Sequence, residues 1–141
     1  LLQEFYPHLQ IPQAVYTELI EEGKEGALFF QHLKDKGFLK VQEVKPTALL
    51  KLLQRDLDDG EAEAVALALD CKADLILLDE KEARSIAREY DLKLTGVIGI
   101  LLRAKLEKKI PVIKKELDLL RSKGFWIGKE VYERVLQEAG E

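Results

Sequence analysis

The residues best placed to do chemistry in this chain are carboxylates. Between residues 56 and 63 there are five: Asp56, Asp58, Asp59, Glu61 and Glu63. Acids at a helix start act as caps worth about 0.3–1 kcal/mol each, which explains one or two of them but hardly five. Asp79 stands apart, directly after the apolar run Leu75-Ile76-Leu77-Leu78. A run without alternation reads as a strand covered on both faces in a parallel sheet. The C-terminal ends of such strands form the ligand crevice of open α/β sheets. A carboxylate there loses hydration unless it is paired or bound to a cation. Capping of a helix that begins near Lys81 is the equal alternative for Asp79.

Other chemistries have little support. The serines Ser85 and Ser122 and the histidines His8 and His32 sit in no nucleophile-elbow or triad setting. Cys71, on a helix read as buried, is expected to be a small core residue rather than a nucleophile. The Cys and His clusters that zinc needs are absent from the sequence. The stretch from Gly96 to Gly99 lacks the dinucleotide pattern and suits close helix packing instead. Oxygen-only donors suit Mg²⁺ or Mn²⁺ rather than zinc or copper.

The elements that must position these acids follow from periodicity. Residues 62–69 are apolar nearly all round, broken only by Glu63, which predicts a buried helix. From Glu61 to Asp79 is 18 residues: a helix, a turn and a strand returning to the same sheet edge. A right-handed crossover of that kind brings the helix start beside a neighbouring strand end. Glu63 lies about 200° around the helix from Glu61 and should not share its face. Leu9-Gln10-Ile11 predicts a short strand, and Pro12 then suits the first position of a helix to about Glu22, ended by Gly23. A second helix through Leu28, Phe29 and Leu33 should stop at Gly37. Residues 38–44 alternate as a half-buried edge strand, and Pro46 opens a helix through Leu49, Leu52 and Leu53. Ala83, Ile86, Ala87 and Tyr90 form a helical stripe, followed by a strand at 92–94. Helices are expected near 97–108, 111–123 and 129–139, with Phe125-Trp126-Ile127 between the last two. Strands alternating with helices predict an α/β fold with parallel strands and crossovers.

Composition narrows the class further. At 141 residues with 47% hydrophobic content, the chain is expected to be a single domain with a full core. No apolar run approaches the roughly 18 residues that cross a bilayer, no signal-peptide pattern is present, and one cysteine cannot form an internal disulfide. A cytoplasmic location is the expectation. The lack of Asn beside abundant Lys and Glu suggests a thermophilic source. The chain also lacks Met and opens on Leu1 and Leu2 without a capping residue, so 1–6 reads as the tail of a helix whose beginning is missing. A net charge of −4 argues against broad, non-specific DNA binding. Residues 105–123 nevertheless hold seven basic side chains against three acidic ones, a phosphate-binding patch or a pair of solvated helix faces.

The sequence resembles the PIN-domain family, metal-dependent nucleases that include toxins of toxin–antitoxin pairs. The resemblance spans essentially the whole chain. It rests on Ile11-Pro12-Gln13-Ala14-Val15-Tyr16-Thr17-Glu18-Leu19, Gly60-Glu61-Ala62-Glu63-Ala64, Asp74-Leu75-Ile76-Leu77-Leu78-Asp79-Glu80 and the tail Ala139-Gly140-Glu141, in order and with the 18-residue spacing. It implies a three-layer fold with a parallel sheet and helices on both faces. It also implies a metal site for which Glu18, Glu61 and Asp79 are the corresponding acids. Glu63, Glu80 and Arg84 are secondary candidates, Arg84 as a phosphate contact. The family pattern begins with an apolar strand ending in a metal-binding Asp, and no such segment precedes Leu1. A PIN-like domain over 1–141, short of its N-terminal strand and of one metal-site Asp, is therefore the expectation.

For the intact domain the resemblance implies hydrolysis of RNA phosphodiester bonds, single-stranded RNA above all, with Mg²⁺ or Mn²⁺ activating water. An antitoxin-like protein partner and self-association are the expected interactions. The first rival is a non-catalytic interaction module of the same fold. The second is a phosphatase-type hydrolase with Asp79 as nucleophile, disfavoured because Glu80 and Lys81 follow where an Asp-x-Asp pair would be needed.

Overall fold

The computed structural model describes residues 2–21 and 25–141, so the expected helix end at Glu22 and Gly23 lies outside the described residues. The chain divides into two compact units, Leu2–Thr95 and Gly96–Glu141.

The first unit opens with a single helical turn, α1 (Leu2–Phe5), and β1 (Leu9–Pro12). The extended Pro12 then leads into α2 (Gln13–Leu19), which buries Tyr16. Next come α3 (Ala27–Asp35), closed by the left-handed Gly37, and β2 (Leu39–Gln42). The Thr47 hydroxyl accepts the Leu50 N–H at 3.2 Å and starts α4 (Ala48–Leu53). The buried helix read from the sequence is α5 (Asp59–Asp70), with Ala62, Val65, Ala66 and Ala68 inward. Two-residue β3 (Ile76–Leu77), α6 (Lys81–Glu89) and β4 (Leu94–Thr95) complete the unit.

The expected α/β class holds, with strands in two small parallel sheets: β1 pairs with β2 and β3 with β4. Strand β4 starts later than the pattern suggested for a local reason. Asp91 takes a left-handed φ of 59°, and the Leu92 N–H turns back to the Ala87 carbonyl at 3.1 Å. Leu92 thus closes α6 instead of opening the strand. The unit's core joins α4, α5, β3 and α6 through Leu53, Val65, Ile76 and Ala83. The run 75–78 departs from its reading as covered on both faces. Ile76 and Leu78 are buried, Leu77 is half-buried and Leu75 is 37% exposed. The side that holds Leu75 and Leu77 faces a cavity of about 430 Å³, which β1 and α5 also line.

In the second unit, α7 (Val97–Leu106), α8 (Ile113–Ser122) and α9 (Lys129–Glu138) pack around Leu101, Ile113, Leu117, Ile127 and Val135. Ile113 and Leu117 are wholly buried. Gly140, at φ 77°, forms a turn in which the Glu141 N–H reaches the Leu136 carbonyl at 2.8 Å. The Glu141 carboxylate then accepts the Ile113 and Lys114 N–H groups at 2.7 and 3.2 Å and meets Lys105 at 3.1 Å. No helix among the described residues is long and apolar enough to cross a membrane.

Candidate functional site

The acids of the first unit gather at the start of α5. Asp58 has extended backbone, and its side chain accepts the Glu61 N–H at 2.8 Å, capping the helix. Asp58 and Glu61 stand three positions apart, the spacing of a capping box, so the cap itself draws two carboxyls together. Glu61 is half-buried while Asp58 is exposed. Burial raises the Glu61 carboxyl to about 7, helped by a hydrogen bond with the Asp58 side chain and by the charges of Asp58, Glu80 and Glu82. The Asp58 carboxyl shifts the other way, held down by the Glu61 backbone N–H and then by the Glu61 side chain.

Glu18 approaches the same helix start from α2. A Cβ placed on Gly60 would lie 3.5 Å from Glu18 Oε1, 3.6 Å from Asp58 Oδ1 and 3.4 Å from Val15 Cγ2. The two acidic side chains therefore flank one point, and Gly60 leaves that space open. Glu18 is exposed.

Asp79 follows the end of β3 and is exposed. The strand end is fixed on both sides of its peptide: the Leu78 N–H donates to the Thr95 carbonyl at 2.9 Å, and Arg84 Nη1 donates to the Leu78 carbonyl at 2.9 Å. Arg84, half-buried on α6, thus ties its helix to the residue just before Asp79. Glu80 takes the N-cap position of α6 without a side-chain cap bond, so the capping position expected of Asp79 belongs to its neighbour. Glu63 is half-buried on α5 and is not among the groups that raise Glu61.

The structure thus joins Glu61 to Asp58, Glu80 and Glu82, with Glu18 beside Asp58. Among the described residues, no group of three or more His, Cys, Asp or Glu side chains is drawn together tightly enough to hold a metal ion unaided. The cavity beside β1 and β3 has Asp74 as its one acid among the described lining residues and includes none of these acids. Cys71 is exposed, which corrects its reading as a core residue: α5 ends at Asp70, and Cys71 is its C-cap. Asp58 and Glu82 were missed as partners of Glu61. The Asp58-to-Glu61 spacing carried a signal for the first; the second depends on how α6 packs beside α5.

A family model described as a PIN domain matches residues 1–141. No curated protein and no solved structure matches the chain.

Proposed function

Because this chain belongs to the PIN-domain family, we propose that it is a divalent-metal-dependent ribonuclease whose acids at the start of α5 and the end of β3 hold the metal. PIN domains are nuclease-like, generally use divalent metal ions and generally bind nucleic acids. The carrying observation is the group of carboxylates at the start of α5, where Glu18 and Asp58 flank Gly60 and where burial and the neighbouring acids raise the Glu61 carboxyl to about 7. A cation would offset the same repulsion.

The donor set fits Mg²⁺ or Mn²⁺ in kind, since every candidate donor is a carboxylate oxygen. A small ion that keeps several waters needs only one or two protein carboxylates, the remaining positions going to water and substrate phosphate. Glu61 and Asp79 would hold the ion, and Glu18 would serve as a ligand or orient the attacking water. When bound, the metal would lower the pKa of that water and offset charge on the scissile phosphate. Glu61 would have to be ionised to serve as a ligand. Asp58 keeps the Glu61 backbone fixed through its cap, and the buried Ala62 and Val65 anchor the helix start beneath the acids.

RNA as substrate, an antitoxin-like partner and self-association belong to this reading. The alternative, a non-catalytic interaction module, draws support from the lack of a closed three-ligand group among the described residues.

Purified chain incubated with single-stranded RNA should cut it with Mn²⁺ or Mg²⁺ and stop on addition of EDTA. Asp79→Asn and Glu61→Gln, each checked for folding, should lose on the order of 100-fold or more, at least what supporting residues of metal sites contribute. If the folded chain binds Mn²⁺ yet cuts neither RNA nor DNA, the interaction-module reading replaces this one. If the double variant binds Mn²⁺ as tightly as the parent, these residues are not the metal site.

A further inference from the structure

The second unit displays an aromatic side chain that its core does not use. Trp126 is 85% exposed and is the only tryptophan in the chain. Large aromatic side chains are mostly buried, because their removal from water contributes strongly to stability. Among the exposed large apolar side chains of the described residues, Trp126 is the most open to solvent.

The loop around it is well fixed. After α8 the left-handed Gly124, at φ 92°, turns the chain, and the Phe125 N–H donates to the Leu120 carbonyl at 3.0 Å. Ile127 is buried, and its carbonyl accepts Arg121 Nη2 at 2.9 Å. Trp126 is thus pinned by its neighbours on both sides. Its ring is placed as well. A Cβ on Gly128 would meet the indole at Cη2 (3.2 Å), Cζ2 (3.7 Å) and Cζ3 (3.8 Å). The benzo half of the ring rests on the glycine while most of the side chain stays open to solvent.

Charge selects the partner. Residues 121–129 carry Arg121, Lys123 and Lys129 and no acid. Arg121 stacks on the Tyr132 ring at 4.0 Å, which fixes its positive charge near the loop. Among nearby acids, Asp118 is engaged by Lys114 at 2.8 Å and by the Tyr132 hydroxyl at 2.6 Å, and Glu130 lies in the first turn of α9. A held aromatic ring on a segment that carries cations and no acid suits the stacking of an unpaired base and attraction of its phosphates. We propose that Trp126, with Lys123 and Lys129, forms a stacking platform for single-stranded RNA. The inference rests on the ribonuclease reading and adds a contact with substrate.

Because Trp126 is the sole tryptophan, its fluorescence reports on this place alone. Full-length chain in EDTA, where no cleavage can occur, is titrated with a single-stranded RNA oligonucleotide and with the same sequence as a duplex. The single strand should quench the emission to saturation and the duplex should not. In anisotropy measurements with end-labelled RNA, Trp126→Ala should bind about tenfold more weakly, the effect expected from loss of one stacked base. Trp126→Phe should recover most of that loss. Unchanged emission with RNA, an equal response to duplex, or parent-like binding by Trp126→Ala would overturn the platform. So would emission that changes with protein concentration alone, which would mean that a second copy covers the ring. Asp79→Asn run in parallel separates the two ideas. Quenching without any metal-dependent cleavage by the parent leaves the platform standing and the nuclease reading fallen; cleavage without quenching does the reverse.

Discussion

Two helices in this molecule start with a carboxylate on their first N–H groups, and the two sites differ in what surrounds them. At α8 the carboxylate is Glu141, 28 positions away in sequence, accepting two backbone N–H groups with Lys105 at 3.1 Å as counter-ion. Its carboxyl is lowered, first by the Ile113 N–H. The Ile113 and Lys114 N–H groups and the Lys105 charge all support it. At α5 the capping acid is Asp58, and Glu61 beside it is raised to about 7, first by burial, then by its hydrogen bond with Asp58 and the like charges of Asp58, Glu80 and Glu82. The first site is a satisfied structural cap. The second keeps more negative charge than capping can use, and folding alone gives no reason to tolerate it. That surplus is what the proposed metal site at the α5 start rests on.

The largest effect is expected if the surplus charge at α5 is used. A proton held on Glu61 must leave before a cation takes its place, so metal binding competes with protonation. Mn²⁺ affinity, measured by calorimetry, should weaken about tenfold per pH unit as pH falls below about 7, the slope for one displaced proton. Glu61→Gln should flatten that slope. If the parent shows equal affinity at pH 5.5 and 7.5, the charge cluster is not the metal site.

A milder test concerns stability without metal. The Glu61 carboxyl is raised in the folded chain from an ordinary value of 4.5. Its contribution is therefore fully present below about 4.5 and is lost as pH rises through about 7. Glu61→Gln, which cannot ionise, should raise the thermal midpoint at pH 8 in EDTA and leave it nearly unchanged at pH 4.5. An equal shift at both pH values would show that the variant acts by packing and not by charge.

Much of this was legible in the sequence, and the parts that were not share a cause. Period and composition carried α5, the strand before Asp79 and the three C-terminal helices, because burial of an apolar face leaves a regular trace in the chain. Element ends were harder, since they turn on single left-handed residues such as Asp91 and Lys108, whose identity does not announce that conformation. Cys71 was misread because one residue past the end of a buried helix looks the same in sequence as its last turn. At the site, Glu61 stood out as an acid at a helix start, but a capping Asp58 and a functional Asp58 are the same letter. The Glu82 charge reaches Glu61 only through tertiary packing. Glu141 could be linked to the family pattern but not to its task, since nothing local joins it to Ile113.

The smallest effect is expected at the satisfied cap, and its sign is what matters. Glu141 is lowered from 4.5 by the two N–H groups and Lys105. Its contribution is present above about 4.5 and is lost as pH falls through the depressed folded value. Glu141→Gln should therefore lower the thermal midpoint at pH 7, and the difference from the parent should shrink as pH falls below 4.5. This trend is opposite in direction and separate in pH range from that of Glu61→Gln. The turn that delivers Glu141 gives an independent handle. Gly140→Ala places a Cβ at a left-handed φ of 77°, a strain of about 1–2 kcal/mol, and nothing lies within 4 Å of that Cβ to add a clash. The variant should destabilise the chain at pH 7, and combining it with Glu141→Gln should cost less than the sum, because both act through one cap. Mn²⁺ affinity should stay at the parent level in both. A change in metal binding on loss of Glu141 would count against the metal site proposed at the α5 start.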